Sequence, residues 1–175
     1  MISIERPKGR HADDEDWRAV KFVIQARGEN LGLKYVQSSG KRLVATDGKR
    51  LHTAKLSPRG PEIPAGVYDV IESKDRIVFE PVTDVEFPDW WQVWPKHMRA
   101  RKVVIPVSET RNYTEAYHAV YRAMSDHRSI NVDFLNDILA TGHSFTMAVS
   151  LGSAIRPLVF RNGRVKAIVM PMEVK

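Results

Sequence analysis

The chain has 175 residues, no cysteine, 43% hydrophobic residues and a net charge of +6. This length suits one domain or two very small ones, and the apolar share fills one ordinary core, which argues against global disorder. The missing cysteines exclude a disulfide scaffold, a thiol nucleophile and a thiolate zinc site, and suit a reducing cytoplasm.

The start, Met1-Ile2-Ser3-Ile4-Glu5-Arg6, lacks the apolar stretch of a secretory signal. No run approaches the ~20 apolar residues of a membrane helix. A cytoplasmic protein with no membrane partner is expected. A polar lead-in covers residues 7–16, with Asp13 as a candidate N-cap and neighbouring carboxylates as macrodipole partners. A helix is predicted to about Arg27. Ala19, Phe22, Val23 and Ala26 recur at i, i+3, i+4, i+7, and Val20 and Ile24 widen the face. Gly28 is the expected stop. Leu31, Leu33 and Tyr35 alternate as a strand before a Ser38-Ser39-Gly40 turn. Strands at Leu43–Thr46 and Leu51–Leu56 flank Asp47-Gly48. A loop holds Pro58, Gly60, Pro61, Pro64 and Gly66, and a hairpin follows over Val67–Ile71 and Arg76–Glu80.

Residues 86–97 form a Pro- and Trp-rich connector, the candidate internal boundary. Beyond it a strand is predicted over Lys102–Val107 and a helix over Asn112–Ser125, with Tyr113, Tyr117, Val120 and Met124 on one face. A second helix runs over Val132–Thr141. Asn131 caps it, Ile130 staples onto Leu135 and Gly142 ends it. Strands at Phe145–Ser150, Ile155–Arg161 and Arg164–Met170 close the pattern, the last two joined by Asn162-Gly163. The order is strand, helix, several strands, connector, strand, helix, helix, several strands. It predicts an α+β fold of antiparallel sheets with helices on one face.

Catalytic chemistry finds no pattern. The six histidines (His11, His52, His97, His118, His127, His143) are scattered without metal-ligand spacing. There is no phosphate-binding glycine loop and no nucleophile elbow. No catalytic residue, metal or cofactor is assigned. Asp47-Gly48 reads as a hairpin turn or as part of a site. Met170 and Met172, on either side of Pro171, read as core filler or as an adaptable surface. Trp90, Trp91 and Trp94 are candidates for base stacking or for packing the two halves together. The basic excess attracts polyanions without sequence preference.

Three segments resemble the bacterial DNA sliding clamp, the beta subunit of DNA polymerase III. Val44-Ala45-Thr46-Asp47-Gly48-Lys49-Arg50-Leu51 is similar to the family's Ala-Thr-Asp-Gly-His-Arg-Leu. Phe87-Pro88-Asp89-Trp90-Trp91-Gln92-Val93-Trp94-Pro95-Lys96 is similar to Phe-Pro-Asp-Tyr-Arg-Arg-Val-Leu-Pro-Lys. Val169-Met170-Pro171-Met172 is similar to Val-Met-Pro-Met, and Ile130–Leu139 resembles the helix before the clamp's last strands. The resemblance implies a clamp-like fold in abbreviated form, with halves at 1–95 and 96–175. It implies a non-catalytic protein that takes the clamp-binding peptides of replication and repair factors. The implied peptide site is Thr46, Gly48, Arg50 and Leu51, with Pro88 and Val93, and Ile168, Met170, Pro171 and Met172. Arg50 is expected to reach a peptide carbonyl or carboxylate. Two apolar anchors at ~1.5–3 kcal/mol each, less ordering costs, imply roughly micromolar affinity. The indoles and Gln92 depart from the family pattern and would reshape the pocket.

The resemblance also implies an inner helical face toward double-stranded DNA. Arg18, Lys21 and Gln25, with Arg111 and Arg122, are its candidates, against a solvated polar face. Two further readings stay open. One is a basic, sequence-independent DNA-binding domain. The other is a structural or decoy subunit that pairs with itself or with a full-length clamp.

Overall fold

A computed structural model describes residues 1–6, 14–30, 32–95, 100–105, 113–124, 128–141, 144–150 and 156–173. Asp13, Leu31, Arg111 and Gly142 lie outside the described residues. The chain divides into two compact units, Met1–Asp89 and Trp90–Lys175, within the Pro- and Trp-rich stretch.

The first unit holds β1 (Ile2–Glu5), α1 (Asp14–Ile24), β2 (Val36–Gly40), β3 (Arg42–Thr46), β4 (Arg50–Lys55), β5 (Ile63–Glu72) and β6 (Arg76–Val82). Its antiparallel sheet runs β1-β6-β5-β2-β3-β4. Period-2 alternation puts Val36, Leu43, Ala45, Ala54, Tyr68, Val70 and Phe79 on one buried face, and α1 lies against β3 and β4. The predicted apolar face of α1 is the buried one, with Ala19, Val20, Phe22, Val23, Ile24 and Ala26 all covered.

Several local expectations are corrected. The helix ends at Ile24, and Gly28 is not its left-handed cap, since its φ is not positive. Gly28 instead lets the chain pass the Asp47 turn: a Cβ there would stand 3.2 Å from the Asp47 Cα and 2.9 Å from the Leu33 Cβ. Leu33 and Tyr35 are not strand. The Leu33 and Lys34 amides both turn back onto the Asn30 carbonyl, and β2 starts only at Val36. Ser38–Gly40 is not a turn but a bulged part of β2 against β5. The buried Ser38 hydroxyl stitches that bulge, donating to the Ile63 carbonyl at 2.7 Å and accepting from the Gly40 amide at 3.0 Å. Pro64 and Gly66 therefore sit inside β5, where the irregular pairing tolerates a residue without an N–H. Asp16 does more than meet the helix dipole. It is buried, and its carboxylate accepts from the Ser57 amide at 2.9 Å.

The second unit holds β7 (Ala100–Ile105), α2 (Thr114–Ala123), β8 (Arg128–Ser129), α3 (Val132–Leu139), β9 (Phe145–Ser150), β10 (Leu158–Asn162), β11 (Val165–Val169) and β12 (Met172–Glu173). Its main antiparallel sheet runs β11-β10-β9-β7, and β12 pairs with β8. Register puts Met147, Phe160 and Ala167 in one buried row. Val104, on the opposite face from Ile105, is 69% exposed. The turn between β10 and β11 falls one residue later than predicted, because Asn162 still pairs with Val165 and Gly163, at φ +40, leads the reversal. Both units are α+β with antiparallel strands.

Asn131 caps α3 as predicted, its side chain accepting from the Asp133 amide at 2.8 Å. Replacing Asn131 with alanine is expected to cost about 1 kcal/mol, read as a lower urea midpoint with an unchanged slope.

Candidate functional site

In the first unit the residues assigned to the site sit on the β3–β4 hairpin. Gly48 takes φ +87, a conformation that a side chain disfavours, so the tip of this turn is glycine for backbone reasons. The Thr46 hydroxyl donates to the Arg50 carbonyl at 2.6 Å and accepts from the Gly48 amide at 3.1 Å. One Asp47 oxygen accepts from the Lys49 and Arg50 amides at 2.9 and 2.8 Å. The other holds the Arg50 guanidinium Nε at 3.0 Å. A second guanidinium nitrogen of Arg50 donates to the Gln25 carbonyl just past α1. Sequence reasoning gave Arg50 to a ligand; the structure places it inside its own turn, its side chain only 11% exposed. Thr46 and Leu51 are buried as well, and Pro88 is exposed.

Two further side chains serve the same end of α1. The Arg27 guanidinium donates to the carbonyls of Ile24 and Val70, and burial lowers its pKa. His52 is wholly buried, stacked on Phe22 with ring centroids 4.1 Å apart, and its Nδ1 lies 2.7 Å from the Phe22 carbonyl. The carbonyl accepts, so Nδ1 carries the proton and Nε2 is a buried acceptor with no partner. Burial pushes the His52 pKa down to about 3, with Arg50 adding to the fall and the Phe22 bond opposing it. Neither role is readable in sequence, because both depend on carbonyls brought close by tertiary packing.

In the second unit Trp90 is buried and stacks on Trp91, centroids 3.8 Å apart, while Trp91 stays 56% exposed. The Trp94 ring lies 6.0 Å from the Arg161 guanidinium and 5.7 Å from the Lys166 ammonium. Arg161 and Lys166 are cross-strand partners, so this indole rests on the cationic end of the β10–β11 hairpin. Val93 is 58% exposed beside it. Farther along, Ile168 and Pro171 are buried, whereas Met170 and Met172 are 40% and 50% exposed. Proline ends β11 as expected, but pairing resumes at once: Met172 lies opposite Ser129 in the small β8–β12 sheet.

Of the candidate DNA residues, Arg18 on α1 and Gln25 just past its end are half-buried. Lys21 forms an ion pair with Glu72, so its charge is already partly matched. Arg122 is exposed in the last turn of α2. Among the described residues there is no group of three or more His, Asp or Glu side chains that could hold a metal, and no helix long and apolar enough to cross a membrane.

No family model matches the sequence, and no curated protein matches it. Solved structures do. The chain is similar to the DNA polymerase III beta subunit of Thermotoga maritima, at 17% identity and TM-score 0.60, over 100% of this chain and 66% of that one. It is similar to the beta chain from Streptococcus pneumoniae, at 14% identity and TM-score 0.62, over 99% of this chain and 64% of that one. It is similar to the Helicobacter pylori beta clamp solved with a DNA ligase peptide, at 15% identity and TM-score 0.55, over 99% and 66%. The chain thus covers less than two thirds of the length of each of these three, and what it shares with them is the fold of the bacterial sliding clamp.

Proposed function

We propose that this chain is a non-catalytic, clamp-like adaptor that binds a short peptide of a replication or repair protein. The residues assigned to the peptide are Thr46, Gly48, Arg50 and Leu51, Pro88 and Val93, and Ile168, Met170, Pro171 and Met172. One observation carries the reading: Val93, Met170 and Met172 remain 58%, 40% and 50% exposed in a protein that buries most of its large apolar side chains. Three water-facing apolar groups, two of them flexible thioethers, suit transient apolar contact better than core filling. The Helicobacter pylori clamp of the same fold, solved with a DNA ligase peptide, supports the choice of a peptide as ligand.

The test is calorimetric titration with that DNA ligase peptide. Binding is expected at roughly micromolar Kd. Met170→Ala combined with Met172→Ala removes exposed side chains, so the fold should hold while affinity drops about tenfold or more. No heat of binding with the unmutated protein removes the reading.

A further inference from the structure

The positive charge of the chain is unevenly placed. Residues 1–89 carry 15 Lys+Arg against 15 Asp+Glu, and residues 90–175 carry 12 against 6, so the whole +6 belongs to the second unit. Four of its cations, Arg156, Arg161, Arg164 and Lys166, lie on or just before the β10–β11 hairpin, and no Asp or Glu occurs between Asp137 and Glu173. Arg161 and Lys166 are register partners and share one face of the hairpin. Arg156 and Arg161 are exposed. Charge of one sign gathered in this way attracts any polyanion.

The indoles narrow the choice. Trp94 rests over Arg161 and Lys166, and its amide donates to the Trp91 carbonyl at 3.4 Å, so one turn joins the cations of the hairpin to Trp91. The buried Trp90 ring stacks on Trp91, which is nevertheless 56% exposed. A water-facing indole held by a buried one is a platform for a second flat group. Nucleic-acid bases are such groups, and a single strand presents their faces, whereas a duplex keeps them between its own base pairs.

We propose that the second unit binds single-stranded nucleic acid, with a base stacked on Trp91 and the adjoining phosphates drawn to the hairpin through Arg161. The proposal does not rest on the peptide reading above. It also differs from a duplex-facing α1, which lies in the unit of zero net charge and has Lys21 paired with Glu72.

The test uses the full chain and a labelled oligothymidylate of about 20 nucleotides, read by fluorescence anisotropy. Three competitors carry a matched number of negative charges: a duplex, a strand of abasic sugars and an oligoglutamate. The oligothymidylate is expected to bind about tenfold tighter than each of them. Trp91→Ala should weaken it about tenfold and the abasic strand less than about twofold, and Trp91→Phe should restore most of the loss. Arg161→Gln should weaken both strands and lower the slope of log affinity against log salt by about one. An oligouridylate in parallel tells RNA from DNA as the source of the strand, and binding of either supports the proposal. Equal affinity for the duplex or the oligoglutamate overturns it. So does an equal effect of Trp91→Ala on both strands, which would give the indole a role in folding alone. Failure of the unmutated protein to bind either oligonucleotide overturns it as well.

Discussion

Taking the protein from pH 7 to pH 4 is expected to remove about 3 kcal/mol of stability through His52 alone. In the unfolded chain its imidazole titrates near the ordinary 6.5; in the fold burial holds it at about 3. Above pH 6.5 neither state binds the proton and the full stability is present. Between 6.5 and 3 the unfolded state takes the proton and the folded state refuses it, so stability falls as pH falls. Protonation in place would put a cation against Phe22, with its Nε2 proton facing no acceptor. Urea unfolding at both pH values measures the loss. His52→Asn keeps an amide nitrogen where Nδ1 stands and has nothing to titrate. It should be weaker than the parent at pH 7, through the lost ring stack, yet lose about 3 kcal/mol less on acidification. An equal acid loss in both proteins would assign the effect to other groups.

Gly28→Ala is expected to cost about 2 kcal/mol although alanine suits the local backbone conformation. The added carbon meets the Asp47 backbone at 3.2 Å and the Leu33 Cβ at 2.9 Å, neither of which is the free end of a side chain. Either the segment after α1 or the Asp47 turn must move, and the turn is tied to Gln25 through Arg50. Gly163→Ala provides the contrast. Nothing lies within 4 Å of a Cβ there, so only its φ of +40 is charged, about 1 kcal/mol. Denaturant midpoints rank the two. A Gly28 variant no more damaged than the Gly163 variant would mean that the Asp47 turn and Leu33 yield to the added carbon at little cost.

Elements with a one-sided apolar period were legible. The α1 face from Ala19 to Ile24, the Asn131 cap and the β3–β4 hairpin stand where local pattern put them, because each depends on neighbours three or four residues away. What sequence missed is set by distant partners. Ser38–Gly40 has turn composition but enters a strand, because the Ile63 carbonyl waits for the Ser38 hydroxyl. Leu33 and Tyr35 alternate like a strand, yet the chain there folds back on Asn30. In the candidate site the residue types were readable and some roles were not. Arg50 has the chemistry of a ligand contact and is engaged by a carboxylate three residues away and a carbonyl brought near by folding. Sequence left Met170 and Met172 open between core filler and adaptable surface, and folding leaves both of them, with Val93, exposed.

The stacked indoles of Trp90 and Trp91 have an optical consequence. Two chromophores 3.8 Å apart and tilted by 26° share their excited states, so the second unit should carry a pair of oppositely signed circular dichroism bands. A change in the couplet as peptide is added would report on the linker segment without any attached dye.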